Sequence, residues 1–290
     1  MNFLKFKLFF LFFLSCTLLC AQSELEKRLK EPPKEYDFAQ ITLQEFNSGK
    51  EESINFLGIS THEINYFLPL SYAYKGKYPK YKRNEAKFQI SVKKPIFENL
   101  LGFDEGYYFA YTQTAWWQLY ATSAPFRELN YAPEFFINLP LKFNGFSALK
   151  TTRIGILHQS NGKGNENYES RSWNRLYMNF FFATKRFIFS PRFWYVIDES
   201  SLEDNKDIAK FMGYFDMKFG YLGKNTFASV LVRNNLNFKE NKGAIELNAG
   251  FDPFDNGVFW YVQYFNGYGE SLIDYQRLIH KLSIGFLIAY

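Results

Sequence analysis

From Ile64 onwards the chain follows a two-residue period. Segments of about ten residues alternate apolar with polar positions, and clusters of Gly, Asn, Asp, Lys and Pro separate them. The last segment is the cleanest. Leu282, Ile284, Phe286, Ile288 and Tyr290 share one parity, and Lys281, Ser283, Gly285, Leu287 and Ala289 share the other. Side chains alternate faces along a strand but recur every ~3.6 residues along a helix, so this period predicts strands. Twelve are predicted, near 64–74, 86–94, 107–118, 132–142, 150–160, 173–183, 186–196, 209–221, 225–235, 243–251, 258–266 and 281–290. They exceed the ~5–6 residues usual for a soluble sheet, and aromatic residues crowd their ends. In lipid an even number of antiparallel strands closes the sheet and leaves no edge unpaired. The expected fold is all-β, a twelve-stranded antiparallel transmembrane β-barrel.

Composition narrows this further. The 290 residues include 35 Phe, 21 Tyr and 5 Trp, too much ring surface for a disordered chain. Beyond residue 21 no apolar run approaches the ~20 residues of a membrane-spanning helix. The formal net charge of +5, from 34 basic and 29 acidic residues, is spread along the chain, so no nucleic-acid partner is expected.

The first residues read as an address. Lys5 and Lys7 precede an apolar run from Leu8 to Leu19, then Cys20-Ala21-Gln22, the layout of a secretory signal peptide over 1–21 with cleavage after Ala21. The alternative is a lipoprotein acylated at Cys20, against which stands the bulky Leu19 directly before it. Both cysteines, Cys16 and Cys20, fall in this segment, so the mature chain is expected to have no thiol for a disulfide or a zinc site. Removal of Lys5 and Lys7 lowers the expected charge to 5 − 2 = +3. Residues 22–58, with Glu31-Pro32-Pro33-Lys34, read as a periplasmic lead-in, leaving 59–290 for the barrel.

Parity then singles out polar residues. In 150–160, Ile154 and Ile156 share one face, Arg153 and Gly155 the other. An arginine facing lipid in mid-membrane costs roughly 2–4 kcal/mol, so the even positions face outward and take His158 and Ser160 with them. In the next segment Leu176, Met178, Phe180 and Phe182 face lipid together with Asn174, while Arg175 and Asn179 point inward. A serine beside a histidine that an amide orients can serve as nucleophile with its general base. Gly162, just beyond, could leave N–H groups free for an oxyanion. Taken alone, the trio fits a membrane interface equally well, where polar side chains meet headgroups and water. His62 and His280 lack such company and read as ordinary surface or interface residues.

The block His158-Gln159-Ser160-Asn161-Gly162, followed by Ser170-Arg171-Ser172-Trp173-Asn174-Arg175-Leu176-Tyr177, resembles the signature of the outer membrane phospholipase A family. Four further blocks resemble it in the same order. They are Tyr111-Thr112-Gln113 with Trp116-Trp117-Gln118; Ser123-Ala124-Pro125 through Asn130-Tyr131; Asp204-Asn205 with Asp207-Ile208 and Met212-Gly213-Tyr214; and Gly267 to Tyr275. The resemblance covers about residues 60–290. It implies a twelve-stranded barrel in the outer membrane of a Gram-negative bacterium. It also implies calcium-dependent hydrolysis of phospholipid acyl esters (phospholipase A1/A2), activated when two barrels associate as a homodimer. Carried over by position, Ser160 is the nucleophile, His158 the base and Asn174 its orienter, and the amides of Ser160 and Gly162 form an oxyanion hole beside Ca2+. Calcium ligands would be the carbonyl of Lys163, Ser170, and Ser123 of the partner subunit, with Asp204 at a second calcium position and Gln113 at the dimer contact. The hairpin between Ser160 and Asn174 is about two residues longer than the family pattern, and Glu166 and Glu169 compete for the place of its usual acid. Two rivals remain. An inactive outer-membrane pore or adhesin barrel gives no reason for the trio, and a soluble exported lipase should carry a G-x-S-x-G elbow, which the flanks of Ser160 lack.

Overall fold

The computed structural model describes residues 58–76, 78, 80–140, 148–164, 167–197 and 205–289. The expected export signal, nearly all of the expected lead-in, Glu166, Asp204 and Tyr290 lie outside the described residues. The strands are β1 (Ser60–Thr61), β2 (Asn65–Lys75), β3 (Asn84–Glu98), β4 (Gly106–Trp117), β5 (Phe126–Leu139), β6 (Leu149–Ser160), β7 (Ser172–Ala183), β8 (Phe187–Ile197), β9 (Phe215–Leu222), β10 (Thr226–Asn234), β11 (Gly243–Phe251), β12 (Val258–Gly267) and β13 (Ile279–Ile288). From β2 on, each pairs antiparallel with the next, and β13 returns to β2 and closes the ring.

β1 does not add a thirteenth wall strand. Thr61 pairs with Val92 and Tyr66 with Gln89, both on β3. Between these pairs the first chain advances five residues and its partner three, so β1 and β2 are one strand with two extra residues inserted. The wall therefore has twelve strands, as the periodicity predicts. Two of the other register slips fall at Pro69 in β2 and beside Pro95 in β3, because proline has no N–H to give the ladder and settles at bulges.

Alternation is borne out in the burial. On β13 Leu282, Ile284, Phe286 and Ile288 are exposed on the outer wall, whereas Lys281, Ser283 and Leu287 are buried. Two expectations shift. β5 begins at Phe126 instead of near 132, because its first lumen-facing residues, Arg127 and Glu128, are charged and hide the strand signal. The expected strand start at 209 is instead a short helix, α1 (Ile208–Met212), whose Ile208, Ala209 and Met212 are buried at i, i+1 and i+4.

Two ionic clusters inside the barrel are paired, as burial favours, whereas Arg153 and Arg175 bond neutral amides. Arg127 donates to Glu85 at 2.8 and 3.0 Å and to Glu270 at 3.4 Å, and also bonds Asp274. Lys281 donates to Glu85 at 2.6 Å and Glu270 at 2.8 Å. On the other side of the lumen, Arg192 holds Asp216 at 2.6 Å. The inserted residues between β1 and β2 reach across. His62 Nε2 lies 3.1 Å from Glu134 on β5, and Glu63 meets Lys218 on β9 at 3.6 Å. His62 is thus a correction to its surface reading: its side chain is 2% exposed and its ring stacks on Phe136 at 5.2 Å. His280 is half-buried, its ring edge-on to that of Tyr74. A cavity of about 440 Å³ remains in the lumen. Above it, α1 and the β12–β13 connection pack Ile208, Met212, Leu272 and Tyr275 against Trp173 and Trp194, behind the strands that carry the trio.

Candidate active site

β6 and β7 are joined by the hairpin 161–171, and their register sets the trio. His158 pairs with Asn174 and Ser160 with Ser172. Ile156, at 52% exposed, and Leu176, at 46%, mark the same face as lipid-facing, while Arg153 and Arg175 are buried on the lumen side. The expected facing of both strands is the observed one. His158 Nδ1–H donates to Asn174 Oδ1 at 2.7 Å, and since a carbonyl oxygen can only accept, this bond places the ring proton on Nδ1. In the neutral ring Nε2 then carries the lone pair. Ser160 stands two residues along the same strand, on the same face.

The residues between and behind these are anchored from the lumen. Gln159 Oε1 accepts from Trp173 Nε1 at 2.9 Å and from Arg175 at 3.1 Å, and the Arg175 guanidinium lies 3.9 Å over the Trp173 ring. Gln159 alternates with His158 and Ser160, so locking it inward keeps its neighbours outward. Gly155 provides close approach: a Cβ there would meet Tyr177 Oη and Phe136 Cβ, both at 2.7 Å. Tyr177 in turn donates to Glu134, the partner of His62. At the hairpin's far arm Asn205 clamps Ser172, accepting its N–H at 3.1 Å and donating to its carbonyl at 3.0 Å. In the sequence Gln159 and Asn205 stand only as members of the family-like blocks and His62 only as a surface residue, because the partners that give them meaning lie on other strands and loops.

The remaining expected residues other than Asp204, which lies outside the described residues, fall at this rim of the barrel or on the adjoining wall. Gly162 has φ +64°, a left-handed conformation suited to glycine. Lys163 Nζ bonds Glu169 at 3.0 Å and lies 3.6 Å from Glu128. Burial works against its charge, but these carboxylates outweigh it and hold the ammonium above the ordinary lysine range. Arg171 donates to the carbonyls of Tyr168 at 2.9 Å and Ser170 at 2.6 Å, and among the described residues the Ser170 hydroxyl makes no hydrogen bond. Ser123 is exposed in the β4–β5 turn at φ +63°, beside Ala124, whose carbonyl accepts from Trp117 Nε1 at 2.7 Å. Gln113 lies on the outer wall between Ile90 and Tyr131, and Tyr131 pairs with Ser160. It therefore shares one lateral row with the serine. Its Oε1 accepts from Tyr111 Oη at 2.9 Å.

Comparison with known proteins adds a second line. The family model described as phospholipase A1 matches residues 43–288. The phospholipase A1 of Proteus vulgaris is 38% identical over 210 residues, covering 71% of this chain and 70% of that protein. That of Klebsiella pneumoniae is 36% identical over 212 residues, covering 71% of each. Among solved structures, outer membrane phospholipase A from Escherichia coli superposes with a TM-score of 0.76 at 30% identity, covering 87% of this chain and 98% of that one. The Salmonella typhi outer membrane phospholipase, a dimer with bound calcium, gives 0.74 at 31% identity, covering 84% and 96%.

Proposed function

The chain belongs to the phospholipase A1 family, outer-membrane β-barrel hydrolases, and from that premise we propose that it cleaves phospholipid acyl esters on its outer wall through Ser160, His158 and Asn174. The observation that supports this most is the 2.7 Å bond from His158 to Asn174 on a lipid-facing surface, beside a serine on the same strand. Asn174 fixes the tautomer, so Nε2 can take the Ser160 proton as Oγ attacks the acyl carbonyl. The negative charge that develops on the substrate's carbonyl oxygen is met by the amides of Ser160 and Gly162. His158 then returns the proton to the leaving lysophospholipid oxygen. In the second half it takes a proton from the water that attacks the acyl-serine and passes that proton to Ser160 Oγ as the fatty acid is released.

The residues present fit calcium. The Lys163 carbonyl and Ser170 hydroxyl are hard oxygen donors on one hairpin, and the Glu169 carboxylate is engaged by Lys163. Among the described residues no group of three or more His, Cys, Asp or Glu gathers to hold a metal, at this hairpin or elsewhere, so the donors here are a carbonyl and a hydroxyl. Calcium takes about 6–8 oxygens, more than this hairpin offers, so water and Ser123 of the partner subunit would complete the set. Bound there, the ion would add positive charge beside the oxyanion hole. The active species is then a homodimer, with Gln113 at its contact. Asp204 is the proposed residue of a second calcium position. Residues 1–21 are proposed as the cleaved export signal and 22–58 as the lead-in to the barrel.

The test is fatty-acid release from phospholipid in mixed micelles, with calcium or with chelator, for the refolded protein and for Ser160→Ala. Release that needs both calcium and Ser160 is the expected result. Turnover that survives Ser160→Ala would sink the mechanism, and ion conductance without hydrolysis would favour the inactive-pore reading.

A further inference from the structure

Asn161 follows the proposed nucleophile and is 4% exposed, so its amide must find partners inside the fold. It finds three. Nδ2 donates to the Glu169 carbonyl at 2.8 Å, and Oδ1 accepts from the Arg171 N–H at 3.0 Å and from the Lys163 N–H at 3.4 Å. Its backbone N–H donates to the Arg171 carbonyl at 3.0 Å. One side chain thus ties together both arms of the hairpin at its base. The amides of residues 161 and 163 are consumed in doing so.

Gly162 is left between them. Among the described residues its N–H has no acceptor, and the residue sits at φ +64° with the Tyr131 ring only 2.8 Å from where a Cβ would stand. A bond from residue 163 back to the Asn161 side chain makes the chain turn at residue 162, which turns its amide away from the ladder. We infer that Asn161 is a positioning residue for hydrolysis: it engages the neighbouring amides and holds the Gly162 N–H as a free donor for the oxyanion. The inference rests on the reading of Ser160 as nucleophile. It makes Asn161 distinct from the trio, since it acts through Gly162 and touches no reacting atom.

The hairpin has other tethers that should preserve the fold when Asn161 is changed. Lys163 bonds Glu169 at 3.0 Å, and Asn205 grips Ser172. The experiment compares kcat and KM for Asn161→Ala, Asn161→Asp, Gly162→Ala and the Asn161→Ala/Gly162→Ala double variant, with Ser160→Ala as reference. Heat-modifiable mobility reports folding. Loss of one oxyanion donor costs about 10²-fold or more, so Asn161→Ala should lower kcat by about 10²-fold with KM within about twofold. Asn161→Asp keeps both Oδ1 bonds and should recover to within about tenfold of wild type. Because both substitutions disable one donor, the double variant should be no slower than the slower single by more than about threefold. Wild-type kcat in Asn161→Ala, or losses that multiply in the double variant, would overturn the inference while leaving Ser160 as nucleophile. If Asn161→Ala does not reach the folded form, Asn161→Gln decides, since its displaced oxygen breaks the turn; wild-type kcat in that variant overturns the inference equally. Full activity in Ser160→Ala would instead bring down the reading of the site, and this inference with it.

Discussion

The two surfaces of the barrel carry polar side chains under opposite conditions. In the lumen Arg127 touches Glu85, Glu270 and Asp274, while Lys281 touches two of the same carboxylates, so each charge has several partners. On the outer wall, His158 meets Asn174 through a single bond, and Ser160 stands beside them among Ile156, Leu176 and Met178. Much of the lumen's polarity is mutual and serves the fold: Arg127 and Lys281 answer buried carboxylates, and Arg153 and Arg175 bond the amides of Asn138 and Gln159. Outer-wall polarity works against the lipid and gives little back to stability. Side chains kept there without structural return are the ones to assign to chemistry.

The comparison is broken most sharply by separating activity from stability. Ser160→Ala should reduce hydrolysis by at least about 10⁴-fold, as nucleophile losses do in enzymes whose residues act as a unit. His158→Ala should match it, and the double variant should lose little more. Unfolding in urea, followed by tryptophan fluorescence, should be unchanged for all three. A serine variant that destabilised the barrel would give the outer trio a structural task instead.

The converse variant lies in the lumen. Arg127→Met leaves Asp274 with Arg277 at 2.9 Å, while Glu85 and Glu270 still have Lys281. Removing one member of a buried ionic set costs about 3–5 kcal/mol, here softened by those remaining partners. The urea midpoint should fall accordingly, and activity per folded molecule should stay within about twofold of wild type. A drop in turnover without a drop in stability would mean that the lumen lattice acts on the site directly.

How much of this was legible in the sequence follows the same division. The outer wall is read by parity, because lipid imposes one rule on every outward position; hence the strands, and the outward facing of His158, Ser160 and Asn174. The lumen obeys no such local rule. Arg127 and Glu128 made the start of β5 look like loop, although each charge is met by a residue on another part of the barrel. His62 looked solitary because Glu134 and Phe136 lie more than seventy residues further along the chain. Asn161 stood in plain view within a recognised block, but its role depends on Glu169 and Arg171 across the hairpin.

A neighbouring pair sharpens the facing argument at a smaller scale. Arg153 is buried in the lumen, its Nε 2.9 Å from Asn138 Oδ1, while Ile154 pairs with Ile137 and Met178 on the wall. Moving the charge by one residue, with Ile154→Arg, should cost about 2–4 kcal/mol if the position lies near the bilayer midplane. Cysteines at Ile156 and Leu157 test the same register without a charge. A lipid-soluble thiol probe should label the first and spare the second, and equal labelling would break the assignment.

The smallest expected effect belongs to Gln113, a polar residue on the wall outside the trio. Its oxygen is satisfied within the monomer by Tyr111, yet its amide group still faces lipid in the row that leads through Tyr131 to Ser160. Gln113→Leu replaces that amide with hydrocarbon, so the monomer should be as stable as wild type or slightly more so. If two barrels associate through this face, the amide instead gains a partner across the contact. Polar contacts within membranes are worth about 0.6 kcal/mol on average, and up to about 1.7. The dimer association constant should therefore fall by roughly three- to eighteen-fold on substitution. Sedimentation in detergent with calcium and a non-hydrolysable substrate analogue measures this directly. At saturating protein the activity should be restored, because the trio and hairpin are untouched. An association constant unaffected by Gln113→Leu would move the contact elsewhere on the wall, and activity that stays low in the fully dimeric variant would place Gln113 in the chemistry.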